Sequence, residues 1–342
     1  MTPINPALGD YSELFMLLAA LAYTIAFLAF TVDLMRARKA TTETLTAVKA
    51  PQQITVHAST ASGVEWSHHG AHSNDRDHPT TSAPNSMAYT PTRRAAARVG
   101  VAVSAVGLLI HGAGVITRGI AANRVPWGNM YEFTTTGALF VMAVFLIMLM
   151  FRDLRFLGTL ITGLTLVMLM AGAIAYPTPV APLMPALQSY WLVIHVSIAV
   201  LASAIFTLTF CLSALQLIKT RQERAGKAEA SKGFLRLVPA PAALEQLAYR
   251  LNGIGFILWT FTLMAGAIWA EAAWGRYWGW DAKEVWTFVI WVVYAGYLHA
   301  RATRGWEGTR AAWLSITGYL CVIFNFTVVN IYFAGLHSYS GL

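Results

Sequence analysis

Residues 274–286 read WGRYWGWDAKEVW. Trp274, Trp278, Trp280, Trp286 and Tyr277 put five aromatic rings into thirteen residues, with Arg276, Asp281, Lys283 and Glu284 among them. Indole rings collect at membrane–water interfaces because they are amphipathic, so one or two tryptophans here would read as anchors. Four of them around Gly275 and Gly279 also fit a platform for a large flat aromatic ligand. Histidine supplies the other candidate chemistry, which is ligation. His57, His68, His69, His72 and His78 lie in one polar stretch, as solvated side chains or metal ligands. His111 (LLIHGAGV), His195 (SYWLVIHVSIA), His299 (YLHAR) and His337 (GLHSYSGL) lie in or beside apolar segments. An ionisable group there is costly and a functional candidate by default. Such imidazoles could hold a metal, the iron of a heme included. The competing roles are packing or hydrogen bonding for His111, an interfacial helix position for His195, and a solvated tail for His337.

The elements that must place these residues are membrane helices. The chain has 342 residues, 56% of them hydrophobic and only 12% charged, with mean hydropathy +0.53. No soluble domain of this size needs so much apolar surface. Eight runs are long enough to span, near 12–35, 99–117, 134–151, 156–175, 191–218, 251–273, 285–301 and 311–334. Helix is the expected form, because lipid cannot satisfy an open sheet edge. The fold class is therefore all-α, a polytopic membrane protein of about eight transmembrane helices.

Lysine and arginine set the orientation. One side holds Arg36, Arg38, Lys39, Arg93, Arg94, Arg98, Arg152 and Arg155, the basic loop 219–250, and Arg301, Arg304 and Arg310; the other holds only Arg118, Arg124, Arg276 and Lys283. Both termini and the tryptophan-rich loop are therefore expected outside, in a multi-pass protein of the plasma membrane with its active face extracytoplasmic. The net charge of +8 reflects this orientation. It does not indicate nucleic acid, which would call for a basic face on a soluble fold. Cys211 and Cys321 are isolated in apolar runs, without a CxxC, so thiol redox chemistry and a disulfide framework are not expected. The first apolar run lacks a basic flank before it and reads as a retained helix.

Three regions follow: a first transmembrane helix at 1–35, a disordered cytoplasmic linker at 36–98, and a membrane domain at 99–342 with its outer loop at 274–286. The linker is rich in Ser, Thr, Ala, Pro and His and has little apolar periodicity. An amphipathic surface helix is expected around 244–249. The loop 176–190, with four prolines, reads as an ordered, non-helical outer lid leading to Trp191 and His195.

WGRYWGWDAKE resembles the tryptophan-rich "WWD" signature of heme-handling membrane proteins, and its continuation VWTFVIWVVYAGYLHAR is similar to the CcsA/ResC family of System II cytochrome c biogenesis, whose actinobacterial members are often called CcsB. Ala282 stands where that family usually has proline. A second signature is matched by Arg118, Pro126, Asn129, Tyr131 and Glu132 in RGIAANRVPWGNMYEF. The resemblance covers roughly residues 100–342. It implies that heme b is bound as substrate, with His195 and His337 as axial ligands flanking the outer tryptophan loop. It also implies that His299 is a ligand on the inward side. His299 and His111 match poorly in depth, so the second inner ligand is expected from a partner chain.

The site expected from these residues comprises His195, His337 and His299 as iron ligands, with Trp274, Trp278, Trp280, Trp286, Asp281 and Arg276 around the heme. Arg276, Lys283, Arg118 and Arg124 are the cations available for heme propionates. Asp281 and Glu284 could orient those cations or a ligand histidine. By resemblance the chain is part of a holocytochrome c synthase (cytochrome c heme lyase). It would attach heme to the CxxCH thiols of apocytochrome c, with a ResB/Ccs1-type membrane protein as partner and a thiol reductant system behind the client. The alternatives are a heme b electron-transfer subunit, or a transporter of another amphipathic ligand.

Overall fold

The computed structural model describes residues 4–49, 87, 94–183, 187–225, 234–333 and 335–337. Eight long helices run up and down through it: α1 Pro6–Lys49, α2 Ala95–Ala122, α3 Met130–Phe151, α4 Gly158–Ala175, α5 Tyr190–Arg224, α6 Pro241–Trp274, α7 Ala282–Arg304 and α8 Thr309–Phe324. α8 continues through one π-helical turn, Asn325–Val329, into a last helical turn, Asn330–Tyr332. No strand occurs among the described residues.

Contacts at both ends fix the up-down order. At one end the Asn5 N–H donates to the Ala121 carbonyl (3.1 Å), which joins the start of α1 to the end of α2. The α6–α7 loop, residues 275–281, lies at this same end. At the opposite, basic end the buried Glu245 of α6 accepts from the Gln216 amide of α5 (3.0 Å) and the Gly308 N–H before α8 (2.8 Å), and pairs with Arg301 of α7. α6 and α7 are antiparallel throughout: Glu245 lies level with Arg301, and the Trp259 indole donates to the Thr287 carbonyl (3.1 Å).

Seven of the eight helices are long and apolar enough to cross a bilayer. The eighth, α7, was expected as an apolar run and is less apolar than that. Its 23 residues include two tryptophans and two tyrosines that face the neighbouring helices, together with His299 and several charged groups. A helix of that length rises roughly 34 Å, enough to span, and its partners place it alongside α6 and α8 over its whole length.

α5 is the central helix. Its Phe206 ring stacks on Tyr294 of α7 at 3.8 Å between centroids, and Thr207 donates to the Tyr319 hydroxyl of α8 (3.0 Å). Between helices in lipid, close packing rather than hydrophobic burial supplies the attraction, and this layer of rings fixes the end of the bundle above it.

Two expectations about the basic side need correction. The linker was placed at 36–98, but α1 continues to Lys49 and α2 starts at Ala95. Residues 36–49, RARKATTETLTAVK, contain no Gly or Pro and several good helix formers, so the helix outlasts the bilayer. Residues 50–86 and 88–93, with the five polar-stretch histidines, lie outside the described residues. The surface helix expected around 244–249 is instead the first turns of α6, which Pro241 opens and whose Leu244 is fully buried.

Candidate functional site

His195 and His337 come together at the tryptophan end. Ser189 caps α5 by accepting the Trp191 N–H (3.2 Å), which puts His195 one turn inside the helix. Its Nδ1 lies 2.9 Å from the Thr262 carbonyl of α6. A carbonyl can only accept, so Nδ1 carries the proton and Nε2 keeps its lone pair. The ring reaches this backbone atom because residue 266 is glycine: a Cβ there would lie 2.7 Å from His195 Cε1. Gly266→Ala should push the imidazole off its carbonyl. Overpacking of this kind costs about 1–3 kcal/mol, so affinity for a metal centre ligated by His195, read by absorbance titration, should fall roughly tenfold or more. An unchanged affinity would show that His195 is not held this way.

His337 follows the last turn of α8, and its Nδ1 lies 2.6 Å from Asp281 Oδ2. The imidazole donates and the carboxylate accepts, so Nε2 is again the nitrogen with the lone pair. The His337 ring meets Trp274 edge-on at 4.8 Å and Trp269 at 5.4 Å. The tail can approach this closely because residue 335 is glycine; a Cβ there would collide with the Asp281 carboxylate. The hydrogen bond from His337 holds the Asp281 carboxyl below the usual carboxylate range. A lowered folded-state value stabilises docking above the unfolded value, near 3.9, and the contribution is lost as pH falls through the folded one. Binding of a metal centre through His337, read by absorbance titration, should therefore carry an acid limb below the usual carboxylate range. Asp281→Asn should already be weak at neutral pH and lose that acid limb. A variant with the wild-type pH profile would remove Asp281 from this role.

Both histidines line one open recess of about 1070 Å³, counted to its mouth. Trp269 of α6 touches both rings, stacked on His195 (6.0 Å, 11°) and edge-on to His337, and is buried to 2% exposure. Tyr277 and Trp278 of the loop also line the recess, as do Lys283 and Glu284 at the start of α7. Glu284 Oε2 accepts the N–H groups of Gly279 (2.8 Å) and Asp281 (3.0 Å), which ties the loop to α7. Ala282 is the first residue of α7, a position that accepts proline without loss of a hydrogen bond.

The remaining expected residues are placed differently. Trp274 touches His337, but Trp286 packs on Phe324 of α8 (4.2 Å) and does not line the recess. Trp280 has a left-handed backbone (φ 58°), is 75% exposed and meets Trp278 edge-on at 5.8 Å. A bulky residue in that region is strained. Arg276 is exposed, its guanidinium lying against Gly279. His299 is exposed on α7 near the basic end, away from the recess. His111 is fully buried on α2, its Nδ1 3.3 Å from the Tyr23 hydroxyl of α1.

Arg118 and Arg124, expected as propionate cations, are occupied elsewhere. Arg118 Nε donates to Glu132 Oε1 (3.0 Å), and Arg124 donates to both oxygens of the same carboxylate (2.7 and 3.0 Å). Their other donors hold the carbonyls of Thr178 (2.6 Å) and Ala181 (3.0 Å) in the proline-rich loop. Asn129 caps α3 by accepting the Glu132 N–H (2.9 Å) and lines the recess. The second signature thus clamps the outer loop and sets the start of α3. Trp269, Gly266 and Trp127 were not anticipated. Trp269 and Gly266 sit inside an apolar run that reads as plain membrane helix; their only signal is that they lie three residues apart, on one helix face.

A helical membrane bundle with a histidine-bearing aromatic recess at one end is the class that fold and site define. A family model described as "Cytochrome C assembly protein" matches residues 103–337, and the chain belongs to that family. It is 35% identical over 244 residues to a protein of Guillardia theta named cytochrome c biogenesis protein CcsA, covering 66% of this chain and 80% of that one. Proteins of the same name from Synechococcus sp. (strain RCC307) and Synechococcus elongatus are 34% identical over 265 residues and 31% identical over 290. These matches cover 69% and 73% of this chain and 83% and 89% of theirs.

Proposed function

We propose that this chain acts in cytochrome c biogenesis by holding heme b in the recess, with His195 and His337 as axial ligands. The observation that carries this reading is the matched pair of imidazoles on one recess. Each has its Nδ1 proton committed to an oxygen acceptor, which leaves Nε2 as the ligating nitrogen. Two imidazoles alone would hold a bare ion weakly, but they complete an iron already bound by four porphyrin nitrogens. Trp269 and Trp278 offer rings to a flat ligand, Trp274 backs the His337 ring, and Lys283 is the cation on the wall. The lysine and arginine asymmetry of the loops supports a recess on the outer face of the plasma membrane.

The bound iron supplies ligand exchange. The CxxCH histidine of an unfolded apocytochrome c takes the place of His195 or His337. Each client thiol then adds across a vinyl group, sulfur to the inner carbon and hydrogen to the terminal carbon. The addition involves no net redox change, but both thiols must arrive reduced, which calls for a thiol reductant system. The chain's contribution is to position the reacting groups and tune the iron. Lyase activity belongs to a complex with a ResB/Ccs1-type membrane protein. His299, exposed on α7, supplies one ligand for heme on the inward side, and the partner supplies the other.

Incubating the purified complex, loaded with ferrous heme, with a CxxCH peptide tests the reading. The expected product is peptide carrying heme through thioethers, while an SxxSH peptide gains none. Equal loading of both peptides, or none of either, would contradict it.

A further inference from the structure

A second wall of the recess is built by the start of α3, the start of α7 and the π turn of α8. Lys283 Nζ donates to the Asn325 carbonyl (2.8 Å), an oxygen in the π turn, and lies 3.4 Å from Asn330 Oδ1. It also sits over the Phe326 ring (4.5 Å), whose other face stacks on Phe133 of α3 (4.5 Å). Asn330 in turn donates to Met130 Sδ (2.7 Å). Lys283 is thereby fixed beside the first turn of α3, where Trp127 and Asn129 line the same recess.

Three buried polar atoms on this wall have no hydrogen-bond partner among the described residues: the donor Trp127 Nε1 and the acceptors Glu284 Oε1 and Asn325 Oδ1. Glu284 is 92% buried by its 8% exposure, and Asn325 is 1% exposed. Buried polar atoms are nearly always paired, so an unpaired set on a cavity wall points to something that pairs them. An ammonium also carries three donors, and the protein claims two of those on Lys283. Of the four cations expected for carboxylates, Arg118 and Arg124 are consumed by Glu132 and Arg276 lies outside the recess.

We infer that this wall is a carboxylate-binding subsite, with Lys283 and the Trp127 indole N–H as donors. It receives one acidic arm of the amphipathic ring held by the histidines. An oxygen of the arm accepts from Nζ and Nε1. A water carried with it donates to Glu284 Oε1 and Asn325 Oδ1, since such sites are commonly completed by bridging water. The subsite rests on the heme reading and deepens it, because it fixes which edge of the porphyrin lies against α3 and α8.

The test compares ferric protoporphyrin IX with its dimethyl ester, which shares ring, iron and vinyl groups but lacks the acids. Binding to the full chain is followed by absorbance. The wild type should bind the acid at least about tenfold more tightly than the ester, the scale of a hydrogen bond to a charged group. Trp127→Phe keeps an aromatic side chain on the wall but removes the N–H together with the five-membered part of the indole; it should lower acid affinity roughly tenfold, while the ester, which feels only the lost ring surface, moves by less than about twofold. Lys283→Met should narrow the acid–ester gap in the same direction. An unchanged gap in Trp127→Phe, or an equal loss for acid and ester, overturns the subsite while leaving the histidine pair intact. If neither porphyrin gives a six-coordinate spectrum in the wild type, the heme reading fails and takes the subsite with it.

Discussion

Replacing His195 or His337 with alanine should lower holocytochrome c formation at least a hundredfold. Loss of a group that merely orients a metal ligand costs 10- to 100-fold, and here the ligand itself is removed. Each imidazole is held by one oxygen, Thr262 for His195 and Asp281 for His337. Alanine leaves a ring-sized gap on the recess wall. Imidazole added to the medium should fill the gap and restore a substantial part of the activity. A structural role would not respond to imidazole, so an alanine variant that remains inactive, or one that needs no rescue, contradicts axial ligation. Thr262 cannot be tested in this way, since its carbonyl belongs to the backbone; Gly266→Ala takes its place.

The second large effect is expected at Glu132. Its carboxylate is fully buried and is the counterion of both Arg118 and Arg124. Glu132→Gln keeps the shape and removes the charge, leaving two buried guanidinium groups with no anion. Breaking a buried ion pair from one side costs about 3–5 kcal/mol. The proline-rich loop would lose its clamp, because the same arginines hold the Thr178 and Ala181 carbonyls. Unfolding in mild detergent should begin well below the wild-type temperature. Glu132→Asp, which preserves the charge, should fall between the two. A Gln variant as stable as the wild type would mean that solvent already reaches this cluster.

The helical bundle was legible because lipid permits few forms, and apolar runs near twenty residues announce themselves. The meeting of His195 and His337, far apart in the chain, was also legible, because counting helices and basic loops puts both at one end. α7 was legible only in part: its tryptophans, tyrosines and charges face neighbours rather than lipid, and hydropathy cannot distinguish that from a surface helix. The partners of the cations were not legible. Arg118, Arg124, Arg276 and Lys283 look alike in sequence, and only packing shows that Glu132 consumes two of them. The π turn at Asn325–Val329 left no mark in the residue pattern, yet it supplies the carbonyl that anchors Lys283. Trp280 and Trp286 were expected at the ligand by their density in the loop, but a left-handed residue and one turn of helix carry their rings elsewhere.

The most direct test of the central claim is low-temperature electron paramagnetic resonance of the ferric, heme-loaded chain with its partner. Two neutral imidazoles on one iron predict a low-spin, bis-histidine signal. That signal should convert to high spin in either His195→Ala or His337→Ala and return when imidazole is added. A bis-histidine signal indifferent to both substitutions would place the heme elsewhere and contradict the account.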